Sequence, residues 1–148
     1  MAWRDRVRKM FEEAEEDIRD ITEIYVDNVV EDMVKNTPGP GNQWPETEYI
    51  AVGRLRGGWV GGDNPPSTVG RMIGGPLDED GDATVSAVMA TFTLDGTWSV
   101  WNEVGYSYYV FHGLGNHAHI GPRNPITGAT LRSSAHFQAA RSAVMRLR

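Results

Sequence analysis

The chain has 148 residues, a formal net charge of −6 and no cysteine. That length supports one domain with a modest core. The lack of cysteine excludes a disulfide framework, a thiol nucleophile and a thiolate metal site, and the acidic balance argues against a protein whose main task is gripping nucleic acid, which needs clustered Lys and Arg.

No window approaches the roughly 18 apolar residues of a membrane span. The opening stretch MAWRDRVRKM places charges where a signal peptide needs an apolar run, so a soluble protein that stays where it is made is expected. Residues 3–36 read as one amphipathic helix, with Val7, Met10, Phe11, Ala14, Ile18, Ile21, Tyr25, Val29 and Met33 at spacings of three and four. At about 1.5 Å per residue it is about 50 Å long, more than so small a domain covers on one side. Part of its apolar stripe is therefore expected to meet another chain. Glu16, Asp20, Glu23, Asp27 and Glu31 repeat on a different face, and Thr37-Pro38 ends the helix because the residue before a proline is pushed out of the α region.

Residues 38–50 form a turn-rich loop in which Trp44 reads as an anchor packed on its own domain. Residues 51–61, AVGRLRGGWVG, are the first candidate strand, with Val52, Trp59 and Val60 as its bulky members, and a long loop follows to Gly81. Residues 82–92 predict a short helix capped by Asp82, with Val85, Val88, Met89 and Phe92 on one side. An Asp-Gly turn then leads into an alternating strand, with Trp98, Val100 and Asn102 on one face and Ser99, Trp101 and Glu103 on the other. Residues 106–112 fit a strand or a helical turn, and the stretch from Gly113 through Pro125 reads as loop. Residues 133–148 predict a helix with Phe137, Ala140, Val144 and Leu147 inward and arginines outward.

The expected fold is thus α+β in a single domain: a long N-terminal helix (1–36), a region of sheet, short helix and loops (37–132), and a C-terminal helix (133–148), the helices packed on a small antiparallel sheet. Charge is segregated along it. Ten carboxylates fall between Glu12 and Asp32, whereas residues 121–148 hold five arginines and no carboxylate. An acidic face and a basic tail follow, either as solvated helices or as a complementary contact between subunits.

Motifs for catalysis or ligand binding are weak. His112, His117 and His119 lie close together, with His136 further on, but there is no HExxH helix, so surface or loop histidines are expected and no metal. Asp78, Asp80 and Asp82 resemble a calcium loop with a misplaced glycine and Met89 where a bidentate glutamate belongs. Neither GxSxG nor a glycine-rich nucleotide loop occurs, which favours a non-enzyme without cofactor over a small hydrolase using the histidine-rich loop.

Two segments carry a resemblance. The first is the long helix closed by Thr37-Pro38 and followed by Gly53-Arg54-Leu55-Arg56-Gly57-Gly58-Trp59; the second is Trp98-Ser-Val-Trp-Asn102 with Tyr106, Tyr108-Tyr109 and Phe111-His112-Gly113, then a glycine-proline loop and a terminal helix. In this order they resemble the neck and tail-completion proteins of long-tailed bacteriophages, small proteins that join head to tail. Val52 stands where that family has threonine, His112 where it often has an acidic residue, and 14 residues separate Pro38 from Gly53.

The resemblance implies a structural virion protein of the neck region, made in the bacterial host cytoplasm, that forms a closed homo-oligomeric ring of about six or twelve copies. Its implied partners are a portal-side connector or head-closure protein and the tail terminator or tail-tube protein, with the genome DNA passing through the channel without sequence-specific binding. A tail-terminator ring capping the tail tube is the alternative. Arg54, Leu55, Arg56, Gly57, Gly58 and Trp59, with Glu16, Asp20, Glu23 and Asp27, are the expected subunit-interface residues. Glycines 57 and 58 would admit another backbone, and Arg54 and Arg56 would fork onto a neighbour's carboxylates.

Overall fold

A computed structural model describes residues 2–39, 53–63, 76–113 and 124–147. Helix α1 spans Trp3–Lys35, as its period of three and four requires, and ends where Asn36 and Thr37 return their N–H groups to the carbonyls of Asp32 and Val34. The expected strand at 51–61 is shorter than its sequence suggested. Residues 53–55 turn, Arg56–Gly58 form a single 3-10 turn, and only Trp59–Gly62 is strand β1. The reason is local: Gly53 adopts φ 78°, and the Gly57 N–H bonds back to the Gly53 carbonyl at 2.9 Å, which curls the chain. Val52 and Trp44 lie outside the described residues, as does most of the loop before Gly81.

Helix α2 (Asp82–Met89) forms where expected, but Asp82 is not its cap. Asp78 takes that role: its carboxylate accepts from the backbone N–H of Gly81 at 3.0 Å and of Thr84 at 2.8 Å, and from the Thr84 hydroxyl. Burial works to raise the pKa of Asp78, and those Thr84 and Gly81 bonds outweigh it, leaving the carboxyl below its ordinary value. Strand β2 (Ser99–Asn102) follows the Gly96 turn and pairs antiparallel with β1, Trp59 opposite Asn102 and Gly62 opposite Ser99. Trp98 and Val100 turn toward the core while Trp101 donates its indole N–H to Glu103 on the other face, the alternation read from the sequence.

Helix α3 (Ser107–His112) settles the ambiguous 106–112 segment as helical, closed by Gly113 at φ 63°. Helix α4 (Pro125–Leu131) begins at the end of the expected glycine-proline loop, where the sequence reading has no helix: Asn124 caps it by accepting from the N–H groups of Ile126 and Thr127, with Pro125 in its first turn. Helix α5 (Ser133–Met145) runs back along α1, α4 also packs on α1, and α2 lies against both α1 and β1. Ala140 and Val144 are buried and Phe137 meets Tyr25 edge-on at 5.9 Å. Phe137 itself is 44% exposed, and Leu147 departs further from the expected inward set. It lies in the turn beyond α5 and is 87% exposed, not inward.

The core gathers around the last two turns of α1: Val30, Met33 and Val34 pack with Leu55, Trp59, Val88, Val104, Val110, Phe111 and Ala129. The result is an α+β fold with a two-stranded antiparallel sheet. The other end of α1 carries no such burial.

Candidate functional site

The segment GRLRGGW occupies the interior, not the outer surface. Leu55 and Trp59 are buried, Arg56 is 2% exposed, and Gly57 and Gly58 are enclosed, so of the six residues expected at a subunit contact only Arg54 faces solvent. Arg56 turns into its own subunit. Its guanidinium donates to the backbone carbonyls of Thr37 at 3.1 Å and Lys35 at 3.3 Å, and to that of Glu79. The Lys35 and Thr37 carbonyls are orphans at the end of α1, where the helix dipole also favours a cation. Burial lowers the Arg56 pKa, opposed by the charges of Asp78 and Asp80.

The glycines are required by the subunit itself. A Cβ on Gly57 would stand 2.0 Å from the Pro76 carbonyl oxygen, and one on Gly58 would stand 2.4 Å from the Val104 side chain and 2.8 Å from Asn102 Oδ1. Trp59 donates its indole N–H to the Thr37 hydroxyl at 2.8 Å, and that hydroxyl donates to the Met33 carbonyl at 2.8 Å. Asn102 donates to the Leu55 carbonyl at 2.9 Å and accepts from the Val104 N–H, and Phe111 stacks on Trp59 at 5.6 Å. Thr37, the Arg-Leu-Arg segment and the Asn…Phe segment are far apart in sequence. They meet at one junction.

A second polar cluster was invisible as a unit in the sequence. Asp32, buried on α1, receives Arg132 Nε and Nη2 at 2.7 Å each, lies 2.5 Å from His136 Nε2, and accepts from Asn36 at 2.6 Å. Hydrogen bonds from Arg132, opposed by burial and aided by His136 and Asn36, hold the Asp32 carboxyl at about 2. So acidic a carboxylate is a poor general base. Its chemistry is that of a clamp binding the start of α5 to α1. Here the acidic helix and the arginine-bearing tail do meet, within one subunit.

His112 stacks on Tyr108 at 4.3 Å and bonds its carbonyl, and His117 and His119 lie outside the described residues. Among the described residues no three His, Asp or Glu side chains converge on a metal-sized point, and no helix is long and apolar enough to cross a membrane.

Two outward surfaces involve α1. Trp3 is 70% exposed, Met10 68%, Phe11 72% and Ile18 65%, so the N-terminal half of the helix presents its apolar stripe to water. Further along, Asp20, Glu23 and Asp27 border a groove of about 380 Å³ floored by Ile24, Met89 and Val144 and edged by Leu147. Burial, and then the charge of Glu31, raises the Asp27 pKa. Of the four carboxylates expected at a contact, these three line the groove, and Glu16 stands exposed apart from it.

No family model, curated protein or solved structure matches the chain.

Proposed function

We propose that the chain is a structural subunit of a bacteriophage neck, a ring that joins the DNA-filled head to the tail. Copies associate head to tail through a heterologous interface that closes. The ring docks on a portal-side connector above and on the tail terminator or tail tube below, and the genome passes through its channel.

The observation that carries this reading is the exposed half of α1. A 33-residue helix, about 50 Å long, packs in its own domain from Ile21 onward, partly at first and fully from Val30 to Val34, and leaves the half before it largely exposed. An apolar stripe of Trp3, Met10, Phe11 and Ile18 held in water is the mark of a surface made for another protein. The buried junction gives secondary support: it fixes the end of α1 rigidly to the sheet, so force or position at the exposed half is transmitted to the domain. An acidic balance suits a channel through which DNA slides without sticking.

Electron micrographs of particles assembled without this protein test the reading. Full heads, or heads leaking DNA, beside normal-length tails that fail to join are expected. Overlong tails would instead mark a tail terminator, and normal joined virions would refute an assembly role.

A further inference from the structure

We infer that the first turns of α1 from one copy seat in the acidic groove of the next copy; the inference rests on the ring reading and names the contact that would build it.

Charge is the first observation. The tip of α1 carries Arg4, Arg6, Arg8 and Lys9 against a single carboxylate, Asp5, in a chain of net charge −6. Among the described residues, Arg4, Arg6 and Arg8 pair with no carboxylate, and Lys9 reaches only Glu13, at 3.6 Å on the exposed helix surface. The groove is the complement. Asp20, Glu23 and Asp27 border it, and among the described residues none of the three pairs with a cation. Burial of Asp27 without a counter-charge is the kind of cost that an incoming guanidinium removes.

Apolar matching is the second. Trp3, Met10 and Phe11 run down the tip, flanked at helical spacing by Arg4 and Arg8 on one edge and Arg6 on the other. The groove offers Ile24, Met89, Val144 and the exposed Leu147 as its floor and lip. A helix with an apolar centre and basic edges fits a trough with an apolar floor and acidic rims.

Direction is the third, and it decides how copies propagate. At about 100° per residue, the tip stripe and the groove face of α1 point about 140° apart around the helix axis. A two-fold pair needs both surfaces of each helix turned to the same partner, which this separation forbids. Each copy instead offers its tip to one neighbour and its groove to another, the head-to-tail relation that closes into rings. The contact is charged and part-exposed, so it weakens as salt rises.

The test uses two charge-swapped full-length variants, Arg4→Glu with Arg8→Glu, and Asp20→Arg with Glu23→Arg. All four positions are exposed, so both variants should keep the wild-type urea midpoint. In sedimentation at low salt, wild type should form oligomers, each variant alone should associate at least tenfold more weakly, and an equimolar mixture should regain wild-type association. Phe11→Asp, at a position 72% exposed and outside the groove lining, should weaken association similarly. A wild type that stays monomeric, a swap variant that assembles like wild type, or a mixture that stays dissociated would overturn the inference. A closed oligomer indifferent to both swaps would leave the ring reading standing without this contact. Rescue in the mixture with only open chains would leave the contact standing and sink the ring.

Discussion

Acid should loosen this protein in part through Asp32. In the folded chain Asp32 is held at about 2, against an ordinary 3.8, by Arg132 first, with burial opposing and His136 and Asn36 assisting. Between those two values the unfolded chain binds a proton that the folded chain does not, so stability rises with pH through that window. The contribution is complete above about pH 4 and lost as pH falls to about 2. The difference is worth at most about 2.4 kcal/mol. Because the Arg132 side chain is 50% exposed, solvent screening reduces this to roughly 1–2 kcal/mol. Asp32→Asn removes it. With a urea slope of about 2 kcal/mol per molar, the variant's midpoint at pH 7 should fall by roughly 0.5–1 M. Titrating both proteins downward should bring the two midpoints together near pH 2. A gap that persists unchanged to pH 2, or no gap at pH 7, would show that the Arg132–Asp32–His136 cluster does not hold α5 to α1 in this way.

The two arginines of GRLRGGW should behave oppositely: Arg56→Ala strands three backbone carbonyls that its guanidinium serves and should cost about 3 kcal/mol or more, whereas Arg54→Ala, exposed, should stay within about 0.5 kcal/mol. Equal urea midpoints for the pair would contradict the buried placement of Arg56. Two glycines form a similar contrast. Gly57→Ala drives a methyl to 2.0 Å from the Pro76 carbonyl oxygen and should lower thermal stability severely or prevent folding, while Gly96→Ala meets nothing within 4 Å and suffers only its φ of +91°, a loss of about 1 kcal/mol; melting curves of the two compare them directly.

The elements that sequence revealed were those in which pattern and burial agree. Helix α1 was legible because its apolar spacing extends over many turns, and β2 because Trp98, Val100 and Asn102 alternate against Ser99, Trp101 and Glu103. The segment 51–61 misled because Trp59 and Val60 carry strand chemistry while Gly53, Gly57 and Gly58 demand a turn, and the turn won where backbone atoms approach too closely for any Cβ. Helix α4 was hidden by Gly128 and two threonines, although Asn124-Pro125 is a capping signature that could have found it. At the site, the acidic row was visible, but its gathering into a groove was not, because Met89 and Val144 come from helices whose placement sequence periodicity does not supply. Arg56 is expected from the sequence to fork onto a neighbour's carboxylates; that it serves the Lys35 and Thr37 carbonyls at the end of α1 and the Glu79 carbonyl is a tertiary fact. Asp32 was lost among nine other carboxylates for the same reason.

The two halves of α1 have different origins of stability, and this sets how assembly must work. From Val30 to Val34 the helix is held by the core, by the Thr37–Trp59 hydrogen bond and by Lys35, whose pKa is raised by Glu31 and then Asp82. From Trp3 to Ile18 the support seen among the described residues includes exposed pairs such as Lys9–Glu13 at 3.6 Å and Arg19–Glu15 at 3.7 Å, each worth about 0.3–0.5 kcal/mol. A free helix of that length is marginal in water, since nucleating its first turn carries a penalty of about 10³ in equilibrium constant. Here the nucleus is already formed by the buried end, so the tip needs only propagation. Amide exchange in the isolated subunit should therefore be slowest near Val34 and quicken steadily toward Trp3, with no sharp break. In the assembled state the gradient should flatten, because a partner that seats the tip adds the tertiary hold it lacks. Tip amides that exchange equally fast before and after assembly would mean that Trp3, Met10 and Phe11 stay in water in the ring, and the exposed stripe would then need another explanation.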